Sequence, residues 1–455
     1  MMKMKWLTLS LSTCLLCSLA ASAMAGAGPA LEGSAVSVSA SANGSGPLVQ
    51  NPSAVIAAAA LKPFPQHVSY TPGTIKPGNF TQAQMDQQVQ QKYNEWKSGY
   101  LVKHPKISNQ YYVFYNKENI VTEPANVVSC SEGHGYGMMI TAYMAGYDAN
   151  AQTYFDGLYR FYKAHPSSID PALMAWQQAK DSSGNIVDTS GSDAATDGDM
   201  DIAYALLLAD KQWGSTGAIN YKSEALKVIN AILKREVHAT YYHLKLGDWA
   251  SDSDTKYGPG TRPSDYMLNH LKAFKSASGN AKWDQVADRT YSIINTIFAS
   301  HSPNTGLMPD FVVRKSNGTY APAPEMYLEE ATDNDYSWNS SRTPWRIATD
   351  YLVSGDTRAL SQLRKMNSWI QTKTGGNPAK IGSGYTLSGG VLDSSHAIAF
   401  TAPFAVSAMV DASNQQWLNK VWSDIVNSPT SDSYYFDNSI RLLSMITVSG
   451  NWWKP

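Results

Sequence analysis

Apolar residues recur at three- and four-residue steps in stretch after stretch of this chain, the spacing that aligns them on one face of an α-helix. Between Phe80 and Tyr100 the series is Met85, Val89, Tyr93 and Trp96, with Asn79 and Thr81 ahead of it as capping candidates. Between Ala194 and Gly214 it is Ile202, Leu206, Ala209 and Trp213, one apolar stripe. The same period predicts helices over 140–147, 154–164, 219–237, 264–276, 284–299, 343–353, 356–372, 396–409, 414–426 and 437–448, while strand alternation is scarce. The expectation is an all-α domain with long loops rich in Gly, Ser, Asp and Trp. A toroid of helical hairpins whose loops shape a site at one end satisfies it. Periodicity alone does not separate that toroid from other all-α arrangements.

The first residues break the pattern. Lys3 and Lys5 precede an apolar run from Trp6 to Ala20 and the small-residue site Ala23-Met24-Ala25. Residues 1–25 read as a secretory signal, too short in its apolar part to be a membrane anchor, so the protein is expected outside the cell. Residues 26–62, largely Ala, Gly, Ser and Val with no period, read as a disordered leader or linker, and the folded domain is expected over 63–455. Cys14 and Cys17 leave with the signal, so Cys130 stands alone and stability must come from a large core. The 36 basic residues less Lys3 and Lys5 leave 34 against 37 acidic ones, a balance that argues against nucleic acid. The 13 Trp and 26 Tyr suit a cleft that stacks sugar rings, although aromatics also dominate ordinary cores. With no coiled-coil pattern or exposed apolar seam, a monomer is expected.

Chemistry concentrates where two helices begin. Thr196, Asp197 and Asp199 stand at the entry to the 194–214 helix, where backbone N–H groups lack partners and the helix dipole is positive. An N-cap needs one such side chain, and three acids in five residues (Asp197, Asp199, Asp201) exceed that need. Ser129 to Met139 reads SCSEGHGYGMM, with Gly133, Gly135 and Gly137 removing alternate side chains, so a bulky neighbour is expected to approach the backbone there. Glu132 in that stretch suits a cleft carboxyl, and Ser129-x-x-Glu132 is equally a legal capping box.

The 194–214 stretch resembles the signature of glycoside hydrolase family 8, whose places are filled here by Ala195, Thr196, Asp197, Gly198, Asp199, Ile202, Ala203 and Trp213. SEGHGYGM likewise resembles the family's acid motif. The resemblance implies an (α/α)6 barrel, Glu132 as general acid, and Asp197 gripping the sugar ring at the point of cleavage. In many members a catalytic Asp precedes the Arg-x-Pro-Trp-Arg segment, here Arg342 to Arg346, but that place holds Asn339. An amide cannot take up a proton from water. The similarity narrows to the subgroup with Asn there, which implies a base ten residues earlier, at Glu329, with Glu330 as runner-up. A merely solvated acidic loop is the competing use of Glu325, Glu329, Glu330, Asp333 and Asp335. The family inverts, which implies two carboxyls roughly 6.5–9.5 Å apart with room for a water.

Asp199 is the candidate support for Asp197, and Tyr336 and Asn339 for the attacking water. Trp176, Trp249, Tyr257, Trp338 and Tyr385 are the cleft-wall candidates, and Arg262, Asp265 and Arg342 further substrate contacts, an ion pair being the plainer use of Arg262 and Asp265. His134, His243, His270 and His396 show no paired metal spacing, so neither metal nor organic cofactor is expected. The subgroup implied by the resemblance acts on chitosan or β-glucans. The acids at 197, 199, 201, 325, 329, 330, 333 and 335 would draw a polycation if they lined the groove, which favours chitosanase over lichenase or endoglucanase activity. A sugar-binding protein that has lost its base is the reading from another class.

Overall fold

The computed structural model describes residues 59–115, 126–189, 192–430 and 435–455. The signal and almost all of the leader lie outside them. Among the described residues twelve helices form, one at each expected stretch: α1 (Gln82–Tyr100), α2 (Ser131–Tyr143), α3 (Ala151–Ala164), α4 (Thr196–Trp213), α5 (Tyr221–Arg235), α6 (Leu268–Ser278), α7 (Lys282–His301), α8 (Thr343–Ser354), α9 (Leu360–Thr374), α10 (Ile398–Ala408), α11 (Gln415–Asn427) and α12 (Tyr435–Val448). The even-numbered helices pack each on the next, and α12 returns to α2, closing a ring. The odd-numbered helices lie outside, each against an inner neighbour. The architecture is an (α/α)6 barrel.

Inner and outer helices differ in pattern because they bury different fractions of their circumference. Outer α11 buries one stripe, Trp417, Leu418, Val421, Trp422 and Ile425. Inner α10 buries all of Ile398 to Ala408. The single stripe expected for α4 is corrected in the same sense: Met200, Tyr204 and Leu208 are as buried as Ile202 and Leu206, since α4 meets protein all round. Thr81 caps α1 in a reciprocal capping box with Gln84. Helix α2 starts at Ser131 and ends at Tyr143, running through its three glycines rather than after them, because packing outweighs the conformational cost of glycine.

The two ends of the barrel are built differently. At the C-terminal ends of the inner helices, residues 61–75 donate backbone N–H groups to one helix end after another. Leu61 bonds Gln212, Phe64 bonds Ala145, Val68 bonds Gly450, Thr71 bonds Leu352 and Ile75 bonds Met409, at 2.7–3.0 Å. The bonds to Gln212 and Leu352 satisfy carbonyls that a helix end leaves unpaired. The chain is thus engaged from Leu61, ahead of the domain start expected at residue 63. Trp452 fills the axis, its ring centre 4.8 Å from Tyr143 and 6.0 Å from both Tyr204 and Trp345. At the other end the connecting loops carry short antiparallel strands. One of them, Val127–Cys130, feeds directly into α2.

Candidate active site

The six inner helices turn their N-termini toward one end, and the expected chemistry collects there. Its geometry begins with two glycines. A Cβ on Gly198 would lie 2.4 Å from Ser131 Oγ, and one on Gly135 would lie 2.7 Å from the Asp201 Cβ. Only bare backbone lets α2 and α4 approach this closely, and the contact sets Glu132 beside Asp197. Neither acid is a cap. The N-cap residues are Cys130 and Ala195, without side-chain cap bonds, and the Thr196 hydroxyl donates to the Lys245 carbonyl at 2.8 Å.

Arg342 joins the groups across the site. Its Nη1 donates to Glu132 Oε2, to Asp197 Oδ2 at 3.1 Å and to the Tyr136 hydroxyl at 3.2 Å. Its Nη2 donates to Asn339 Oδ1 at 2.9 Å, and Asn339 Nδ2 donates to Glu329 Oε2 at 2.7 Å. Glu132 and Glu329 therefore stand at the two ends of one three-bond chain. Arg262 Nη2 pairs with Asp197 Oδ1 at 2.9 Å, and its Nε donates to Asp265 at 3.1 Å. The Tyr435 hydroxyl donates to Glu132 Oε1 at 2.7 Å.

These surroundings drive the acids apart. Burial pushes the Glu132 carboxyl up to about 7 against the pull of Arg342, and the charge of Asp197 adds to the rise. Burial also opposes ionisation of Asp197, but Arg262 and Arg342 outweigh it and hold that carboxyl well below the usual range. Glu329 is solvent-exposed by area, yet desolvation raises it above the ordinary value, opposed by Arg262 and by the Asn339 hydrogen bond.

The remaining expectations divide. Trp176, half-buried, accepts the Ser131 N–H through its carbonyl beside α2. Trp249 is half-buried edge-on to Tyr257, centroids 5.3 Å apart, and Trp338 edge-on to Phe400 at 5.1 Å. Tyr336 and Tyr385 are corrected: they are 0% and 1% exposed, bridge to each other through their backbones, and form the packed layer beneath the rim. Asp199 is interior as well. Fully buried, it accepts the Met174 N–H at 2.9 Å, and burial raises its carboxyl well above the usual range. Asp265, also fully buried, touches Arg262 rather than open cleft.

The acidic lining expected for a polycation is not present as such. Asp199, Asp201 and Asp333 are buried, and Asp197 lies between two guanidiniums. Asp201 is held by both Nη atoms of Arg346, at 3.0 and 2.5 Å, and by His270 at 2.9 Å. This second layer lies one helical turn deeper than the first, with Asp201, Arg346 and Tyr136 each four residues past Asp197, Arg342 and Glu132. That spacing was visible in the motifs and identifies Arg346 and Tyr136. Tyr435, 303 residues from Glu132, had no local signal. His134, His243 and His396 bond Leu158, Tyr320 with Gly258, and Asp424 respectively.

A closed ring of helix pairs with paired carboxyls at one end defines a polysaccharide-cleaving class of barrel. The sequence model described as Glycosyl hydrolases family 8 matches residues 81–450, and the chain belongs to that family. It is 53% identical over 402 residues to a beta-glucanase of Niallia circulans, covering 88% of this chain and 94% of that one. An endoglucanase of Bacillus sp. (strain KSM-330) is 41% identical over 412 residues, 90% of this chain and 85% of the relative. The apo structure of a beta-1,3-1,4-glucanase from Paenibacillus sp. X4 superposes with a TM-score of 0.81 at 52% identity, covering 87% of this chain and all of that one. The protein is an enzyme acting on glycosidic bonds, which displaces the reading of a sugar-binding protein without a base. Among the described residues no helix is long and apolar enough to cross a membrane.

Proposed function

We propose that the protein is an endo-acting, inverting β-glucanase that cleaves mixed-linkage β-1,3-1,4-glucan and β-1,4-glucan, with Glu132 as general acid and Glu329 as general base. The observation that carries this reading is the chain Glu132–Arg342–Asn339–Glu329. Its ends are two carboxyls linked through one guanidinium and one amide. The raised Glu132 keeps a proton near neutrality for the departing oxygen. Asn339, neutral and oriented by Arg342, points its amide at Glu329 and leaves that carboxylate's other oxygen for a water. Asp197, held ionised by two arginines, supplies a fixed negative charge beside the oxocarbenium-like ring.

Chitosan was the substrate expected from acid content. Asp199, Asp201 and Asp333 are buried and line no open surface, which removes that argument, and the relatives' names favour a neutral glucan. Reducing-sugar release from lichenan, carboxymethylcellulose and chitosan at several salt concentrations tests the assignment. Fast, salt-indifferent cleavage of lichenan is expected, and salt-sensitive cleavage of chitosan alone would overturn it. NMR of the first anomer released reads the stereochemistry, and retention would overturn inversion and the assignment of Glu329 as general base. Export after cleavage behind Ala25 and a monomeric state complete the proposal, both read from the intact mass and light scattering of the protein recovered from culture medium.

A further inference from the structure

The Glu329 side chain sits on a loop from Ala323 to Asp335 that has no helix or strand of its own. Something else must fix its backbone, because a general base serves only within hydrogen-bond reach of its water. Asp333, 1% exposed, lies inside the loop. Its Oδ2 accepts the N–H groups of Leu328 at 2.7 Å and Glu329 at 2.9 Å, and its Oδ1 accepts that of Glu330 at 2.9 Å. Three successive donors thus converge on one carboxylate. The Asp333 carbonyl in turn accepts the Phe311 N–H at 2.9 Å, next to the strand Val312–Arg314. One residue therefore ties the loop to the sheet with its backbone and shapes the loop with its side chain.

Resting on the assignment of Glu329 as base, we propose that Asp333 is a positioning residue for it. The carboxylate presents the Glu329 side chain to Asn339 and the water and makes no sugar contact itself. The role needs two anionic oxygens. An amide at 333 would turn an NH2 group toward backbone N–H donors and lose at least one of the three bonds.

The test compares Asp333→Asn, Glu329→Gln and the double variant on soluble lichenan. A base displaced by about an ångström costs about 10- to 100-fold in rate. Asp333→Asn is expected to lower kcat by that factor and change KM less than about twofold. In the Glu329→Gln background it should cost nothing further, because a residue acting only through another adds no second loss. Burial is the main rise on Glu329, and the charge of Asp333 adds to it against Arg262, Asn339 and Arg342. Removing that charge should move the acid limb of the kcat/KM profile of Asp333→Asn to lower pH. Unchanged kcat in Asp333→Asn while Glu329→Gln is crippled overturns this inference alone, as does a loss that multiplies in the double variant. Full rate in Glu329→Gln overturns the base assignment and this inference with it. Should Asp333→Asn fail to fold, Asp333→Ser, which keeps one acceptor oxygen, carries the same comparison.

Discussion

Glu132 and Glu329 end one chain of hydrogen bonds but rest on different kinds of structure. Glu132 and Asp197 stand on the first turns of two inner helices whose backbones touch, above the main core. Glu329 stands on a loop above a separate small cluster of Leu246, Phe311, Val313, Ala323 and Tyr327. The acid side is fixed by helix packing and the base side by hydrogen bonds. Burial follows the same division: the proposed acid needs a dry place to keep its proton, and the proposed base needs water within reach. One scaffold meets both needs by giving each carboxyl its own support.

The largest effect expected is on the acid side. Glu132→Gln keeps the shape and one acceptor oxygen for Arg342 but has no proton to donate. A rate loss of about 10^3-fold or more is expected on lichenan, with circular dichroism unchanged. A loss below tenfold would mean that the proton comes from elsewhere and that the division has been drawn around the wrong residue.

Arg342 belongs to both sides, so removing it should damage both. Arg342→Met strips the counter-charge from Glu132 and the orienting donor from Asn339. A loss of about 10^2-fold and a destabilisation on the order of 3 kcal/mol are expected, because buried carboxylates lose a partner. The sign of the pH effect is specific. Arg342 pulls the Glu132 carboxyl down, so its loss raises that group further and moves the alkaline limb of the rate profile to higher pH. A limb that stays in place would show that Arg342 holds geometry only.

How much of this was readable before the fold follows from the same contrast. Helices announce themselves because each must bury a face, and Glu132 and Asp197 lie in short motifs with helical spacing. The base side is assembled from loops, and loop acids look alike in sequence. Asp333 and Glu329 belong to one run of acids, yet one is a buried strut and the other the exposed carboxyl proposed as base. Acid content alone favours chitosan, and only the fold supplies the partners and the burial that remove most of that charge. Tyr336 and Tyr385 resemble Trp249 and Trp338 in sequence, and only the backbone bridge between them decides that they are core. Tyr435 reaches Glu132 through the closure of the ring, which no local pattern encodes.

A smaller effect is expected where the two sides meet. Asn339→Asp places a second carboxylate 2.7 Å from Glu329, next to Arg342. Two such groups share one proton. Arg342 favours ionised Asp at 339, so Glu329 keeps the proton and its acid limb moves to higher pH. About a tenfold loss near pH 6 is expected, recovering as pH rises. Should the new Asp serve as base itself, Glu329→Gln in that background would be active, and the base would no longer be confined to the loop.

The smallest effect concerns stability and separates the two carboxyls without substrate. Burial raises Glu132 from its ordinary 4.5 to about 7 in the folded chain, so the fold binds that proton more tightly than the unfolded chain does. Its stabilising contribution is complete below about pH 4.5 and is lost as pH rises through about 7. Glu132→Gln removes the titration. The difference in Tm between wild type and Glu132→Gln should therefore move steadily against wild type from pH 4.5 to 7, by a few degrees. Glu329, exposed by area, should give a flatter curve when replaced by Gln. Equal slopes for the two variants would show that both carboxyls sit in equivalent surroundings, and the contrast between a dry acid and a wet base would fall.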